Sequence, residues 1–187
     1  MTLTRALFPA PSLARQVALV LVGTLFIALA AQISVPMLPV PMTLQTLAIL
    51  IVGLTYGARL GAATLIAYLA EGAMGLPVFA NGQASLAYMM GPTGGYLLGF
   101  VAMAWLAGLA ADRGIARGIL PTALVAVAAS ALLYVPGVAW LTAVTPLDLS
   151  GAVKAGMLPF LPGDAIKAVL AALVVTGGWA ALARRKG

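Results

Sequence analysis

The chain has 187 residues, 63% of them hydrophobic and 7% charged, with a formal net charge of +6. Soluble domains carry roughly 25% charged residues, so there is too little polar surface here to wrap a water-soluble core, and the chain reads as an integral membrane protein. Cys and His are absent and only four acidic residues occur, Glu71, Asp112, Asp148 and Asp164, which argues against thiol chemistry, disulfides, haem attachment, ordinary zinc sites, histidine proton relays and carboxylate-pair catalysis.

Six hydrophobic stretches follow along the chain, each judged against the ~20 residues a helix needs to cross a bilayer. The first covers 13–31, "LARQVALVLVGTLFIALAA". "ALAAQ" after a basic flank also fits a signal-peptidase site, but the apolar run lasts a full span and is kept as one. Ala14 and Ala18 in it form a small-xxx-small pair. The second, 43–56, "TLQTLAILIVGLTY", is short; the third covers 58–74 and the fourth 93–111. The fifth, 116–144, exceeds one crossing and holds Pro136-Gly137, so a kink or tilt is expected. The sixth covers 163–183. The expectation is one domain over 1–187: an all-α integral membrane protein, a bundle of six transmembrane helices whose outer loops cap a ligand pocket.

Charge orients this bundle. Arg5, Arg15, Arg59, Arg113, Arg117, Arg184, Arg185 and Lys186, eight of the ten basic residues, fall on one face when six spans are threaded. The positive-inside rule assigns that face, and both termini, to the cytoplasm of a bacterial cell (inner) membrane. Basic residues confined to segment ends fit a lipid bilayer and exclude nucleic acid as partner. The other two, Lys154 and Lys167, fall toward the outer face. The outer loops, "QISVPMLPVPMT" (32–43), "GLPVFANGQASLAYMMGP" (75–92) and the segment around 145–162, are rich in Pro, Gly and Met and carry only Asp148 and Lys154 as charges. Loops of pure solvent exposure would be more polar, so these are expected to fold over something as a lid or lining.

Four motifs carry candidate chemistry. In "FLPGDAIK" (160–167) Pro162 suits a first helical turn, Asp164 falls at the positive end of the helix dipole, and Lys167 lies one turn on along the same face. One reading is a capped helix with a local ion pair, the lysine snorkelling outward. The other is a ligand grip: an acceptor-only carboxylate beside a donor-only ammonium matches a group offering N–H next to C=O, such as a cyclic urea, amide or lactam. "PVPMTLQT" (39–46) holds the chain extended before Thr43, a helix cap, and Gln45, which on the functional reading reaches inward. In "LAYMMGPTGGYLLG" (86–99) the glycines, Gly91 among them, allow close backbone approach, and Thr93 stands where span four starts. That helix start could receive a carboxylate, or the glycines could serve helix packing alone. The stretch lacks the P-loop spacing. Asn81 makes a turn or a polar contact; Tyr88 and Trp140 are interfacial aromatics or walls for a flat ligand.

Together "PVPMTLQT", "AYLAEGAMGLPVF", "GPTGGYLLGF" and "FLPGDAIK" resemble the BioY family, the biotin-specific substrate-binding (S) components of energy-coupling-factor (ECF) transporters, from about Val35 to Lys167. The resemblance implies six transmembrane helices with the outer loops covering one biotin, and a vitamin-uptake role alongside a membrane T-component and a pair of ABC ATPase subunits. It implies that Asp164 and Lys167 bind the ureido ring with help from Asn81, and, more loosely, that Tyr88, Gln45, Trp140, Gly91 and Thr93 join them. Helix-end N–H groups, Thr93 or Lys154 are the candidates for the valerate carboxylate. No cofactor and no enzymatic activity are implied, biotin being the transported ligand, and association into a homo-oligomer stays open. The competing reading is an ion- or proton-coupled secondary transporter of a small polar metabolite, against which stands the lack of an internal repeat.

Overall fold

The computed structural model describes residues 2–8 and 12–184; Arg185 and Lys186 of the charge argument lie outside the described residues. Nine α-helices and one two-stranded hairpin make up the regular structure among them. After the short α1 (Leu3–Leu7) come α2 (Leu13–Gln32), a hairpin of β1 (Ser34–Val35) and β2 (Met42–Thr43), then α3 (Gln45–Tyr56) and α4 (Ala58–Ala73). A 3-10 turn (Ala80–Gly82) and α5 (Leu86–Met89) lead into α6 (Gly94–Asp112) and α7 (Ile119–Val144). The chain ends with α8 (Leu149–Gly156), a second 3-10 turn (Leu158–Phe160) and α9 (Leu161–Arg184). Three stretches, α2, α6 and α7, and the nearly continuous helical run Leu149–Arg184 are long and apolar enough to cross a membrane; α3 is apolar but only 12 residues long.

The expected spans match these helices to within three residues at each end, and α7 runs unbroken through Pro136. Two differences are informative. The segment around 145–162 is largely helical: Asp148 caps α8 by accepting the Gly151 N–H at 2.8 Å, a local signal that favours a helix start. The 32–43 loop closes as a hairpin, Ser34 opposite Thr43 and Val35 opposite Met42.

The core lies where α3, α4, α6, α7 and α9 meet, filled by Ile49, Leu50, Leu65, Met103, Leu133, Leu141 and Val175. The closest packing joins α6 to α7, and glycine makes it possible. A Cβ on Gly95 would fall 2.3 Å from the Pro136 carbonyl oxygen, and one on Gly137 2.4 Å from the Tyr96 ring. By contrast α2 buries only Gly23, Thr24, Ile27 and Ala31 and exposes Leu21, Val22, Leu25 and Leu29. A helix that is apolar all round yet mostly uncovered is stable only against hydrocarbon or another apolar surface.

Candidate functional site

The N-terminal ends of α3, α6 and α9 converge with the middle of α7 on one end of the bundle, here called the pocket end, around a cavity of about 50 Å³. That volume holds a few waters. Its lining includes Thr43, Gln45 and Thr46 from the start of α3, Thr93, Tyr96 and Phe100 at α6, Leu133 and Tyr134 from α7, and Asp164 and Lys167 from α9. Val40, Pro41, Ala80 and Tyr88 from the intervening segments line it too.

Asp164 and Lys167 are brought together here and both are buried, each 6% exposed. α9 starts at Leu161, with Pro162 and Gly163 next, so Asp164 falls in its first turn, where a carboxylate is favoured by the unpaired N–H groups and the helix dipole. Lys167 Nζ donates to Asp164 Oδ1 at 3.2 Å. The lysine does not snorkel outward; it turns into the protein. Thr46 Oγ1 donates to the same Oδ1 at 3.2 Å, and the Tyr134 hydroxyl donates to Oδ2. Three helices thus hold one carboxylate. A buried charge without such partners would be expelled or neutralised.

An ionised carboxylate has about four acceptor sites and an ammonium three donors. Asp164 receives three donors and Lys167 gives one. The pair therefore retains acceptor capacity on Asp164 and donor capacity on Lys167 toward a ligand that presents N–H beside C=O.

Around this pair stands a second polar chain. Thr43 Oγ1 accepts the Gln45 N–H at 3.2 Å and donates to Gln45 Oε1 at 2.9 Å. The Gln45 amide donates to the Tyr68 hydroxyl at 2.7 Å, which donates in turn to the Val78 carbonyl at 2.7 Å. Gln45 does reach inward, 4% exposed. Phe79 packs edge-on to Tyr68 and stacks with Tyr88, at centroid separations of 5.6 Å in both cases. Burial raises the Tyr88 phenol above its ordinary pKa, the Thr93 hydroxyl acting in the opposite sense.

Three expected site residues sit elsewhere. Asn81 lies in an outer cleft beside Gln83 and Gly91. It adopts a left-handed backbone, φ 58°, and its Oδ1 accepts the Ser34 hydroxyl at 2.7 Å. Gly91 lines that cleft and not the inner cavity. Trp140, read as an interfacial aromatic or a wall, does not line the inner cavity: its indole N–H donates to the Gly91 carbonyl at 2.9 Å. An indole N–H must find an acceptor when half-buried, and Gly91 supplies one. Gly94 and Gly95 are packing positions, since a Cβ on Gly94 would lie 1.9 Å from the Met89 carbonyl. Conversely Thr46, Tyr134 and Tyr68 escaped the sequence reading. For Thr46 its place beside Gln45 was a usable signal; for Tyr134, 30 residues from Asp164 in sequence, there was none.

Comparison with known proteins gives a consistent result. The BioY family model matches residues 3–184. A probable biotin transporter BioY of Pyrococcus horikoshii is 35% identical over 86% of this chain and 94% of its own length. The biotin transporter BioY of Thermotoga maritima is 36% identical over 81% and 88%. A crystal structure of the S-component for biotin from an ECF-type ABC transporter superposes with a TM-score of 0.77 at 26% identity, covering 95% of this chain and 96% of that one.

Proposed function

The chain belongs to the BioY family, and from that premise we propose that it is a biotin-binding membrane subunit of a vitamin uptake system, whose partners are a T-component and ABC ATPase subunits. Its kinship with biotin transporters and with a biotin S-component supports transport and not catalysis. The chain is a multi-pass membrane protein. On our reading α2, α3, α4, α6, α7 and α9 are six spans, the outer loops cap the pocket, and both termini face the cytoplasm of the cell membrane. Two features support this: basic residues cluster at the end opposite the pocket, and α3 and α4 lie within a bundle of longer apolar helices.

One observation carries the binding site: Asp164 and Lys167 form a buried pair at 3.2 Å on the wall of the cavity. Biotin's ureido ring has two N–H groups and one carbonyl oxygen. Lys167 donates to that oxygen and Asp164 accepts one N–H, while Gln45, on the same wall, offers an acceptor for the other. Charge-assisted bonds of this kind contribute roughly 1.5–3 kcal/mol each. Tyr88, Phe100 and Leu133 supply apolar walls for the thiophane ring. We assign Thr93, Gly91 and Asn81 to the path by which the ligand enters, and Trp140 to the support of Gly91. A cavity of about 50 Å³ must widen to take biotin, so binding and displacement of the outer loops are coupled.

The secondary-transporter reading is not favoured: the similar proteins are biotin transporters and an S-component, and Asp164 and Lys167 form one cluster at one end, not a relay across the bundle. The test is to purify the full chain in mild detergent and identify by mass spectrometry the small molecules it releases on denaturation, then to titrate biotin. We expect biotin to be released and rebound; a protein that neither carries nor binds biotin contradicts the proposal.

A further inference from the structure

We propose that the site also admits biotin joined through its carboxyl group to another molecule as an amide, so that conjugated biotin is a ligand alongside the free acid. This rests on the reading of Asp164 and Lys167 as the holders of the ureido ring.

Two spaces meet at the pocket end. The inner cavity contains Asp164 and Lys167, and an outer cleft of about 370 Å³ lies between the 36–41 segment and the 81–93 segment. Pro41, Tyr88 and Thr93 line both. A ligand whose head rests on Asp164 extends its tail past this rim into the cleft.

Charge is divided unevenly between the two spaces. The inner one holds a carboxylate and an ammonium; every described residue lining the outer one is neutral. Lys154, a sequence candidate for the carboxylate, is exposed and lines neither. A carboxylate withdrawn from water with no cation beside it loses hydration that nothing replaces, so the tail's carboxylate keeps its water in the open cleft. The groups that can touch it are neutral donors: the amides of Asn81 and Gln83, and the Thr93 hydroxyl. Thr93 is 9% exposed and its hydroxyl lies beside the Tyr88 phenol at the rim between the two spaces. Such donors serve an amide carbonyl as well as a carboxylate oxygen. Converting the acid to an amide removes a charge that the cleft does not recognise and keeps the acceptor that it does, with the substituent lying in water.

The test is competition binding on the purified full chain with biotin, biotin amide and biotin linked to the lysine side chain. We expect the three dissociation constants to agree within about tenfold, the span of one neutral hydrogen bond. Free biotin binding with both amides weaker by more than that overturns the inference and leaves the head site standing. Failure of free biotin itself to bind overturns the head site and the inference with it. Gln83→Lys, which sets a cation in the cleft, is expected to shift preference severalfold toward the free acid; an unchanged ratio would show that the tail does not pass there.

Discussion

Asp164 and Lys167 at the pocket end and Arg5 and Asp112 at the opposite end are both acid–base pairs, yet their surroundings differ in every respect that matters to binding. The first pair is 3.2 Å apart with both side chains 8% exposed; the second is 3.7 Å apart, with Arg5 58% and Asp112 21% exposed. Asp112 also accepts the Ala58 N–H at 2.9 Å, capping α4 where Gly57, at φ +88°, lets the chain turn against α6. That pair fastens α1, α4 and α6 together. The Asp164–Lys167 pair borders a cavity and is surrounded by donors from α3 and α7. Ionic chemistry fastens helices where water reaches it; where water is excluded and space is left beside it, as at Asp164 and Lys167, the proposed function makes it recognition.

The contrast can be broken in graded steps. Lys167→Met leaves the Asp164 carboxylate buried without its cation; we expect a loss of about 3–5 kcal/mol in stability and no measurable biotin binding. Adding Asp164→Leu to it removes the stranded charge. The double variant recovers most of the thermal midpoint while still failing to bind, which separates the pair's role in recognition from any role in folding. Gly95→Ala drives a methyl toward the Pro136 carbonyl and is expected to destabilise by about 1–3 kcal/mol, seen as a lower midpoint in thermal unfolding, with biotin stoichiometry per folded molecule preserved.

Smaller effects sharpen the same contrast. Tyr134→Phe and Thr46→Val each remove one donor from Asp164. Each should weaken biotin binding by about three- to tenfold, less than a charge-assisted bond is worth, because the lost donor positions the carboxylate and does not touch the ligand, and neither should add to the loss in an Asp164→Asn background. Additive losses there would mean that the two residues act independently of the carboxylate. Arg5→Gln is the mildest: an exposed pair contributes under about 1 kcal/mol, so the midpoint moves little and biotin affinity does not move at all. A loss of affinity on Arg5→Gln would show that the two ends are coupled.

Much of this architecture was legible in the sequence because the physical signal was strong. Runs of apolar residues punctuated by Arg and Gly mark α2, α3, α4, α6, α7 and α9 to within three residues. "PGDAIK" announced a helix start with two charges on one face, and the two prolines before Gln45 marked the mouth of α3, where its side chain is buried. The hairpin was not legible, since Ser34–Val35 and Met42–Thr43 are too short for an alternating pattern to register. Trp140 stayed open between interfacial aromatic and wall because aromatic residues fit many roles; its hydrogen-bond partner, a main-chain carbonyl at Gly91, has no side-chain signature. Tyr134 stayed hidden for the complementary reason. Within an apolar span a tyrosine looks like belt or core, and only the packing of α7 on α9 brings its hydroxyl to Asp164.

The proposed grip on the ureido ring turns on one carboxylate, and the most direct measurement is equilibrium biotin binding by purified Asp164→Asn beside the unaltered chain. The substitution keeps size and shape while removing the charge. The prediction is that affinity falls at least tenfold, the least expected for one charge-assisted hydrogen bond. Biotin bound by Asp164→Asn as tightly as by the original chain would contradict it.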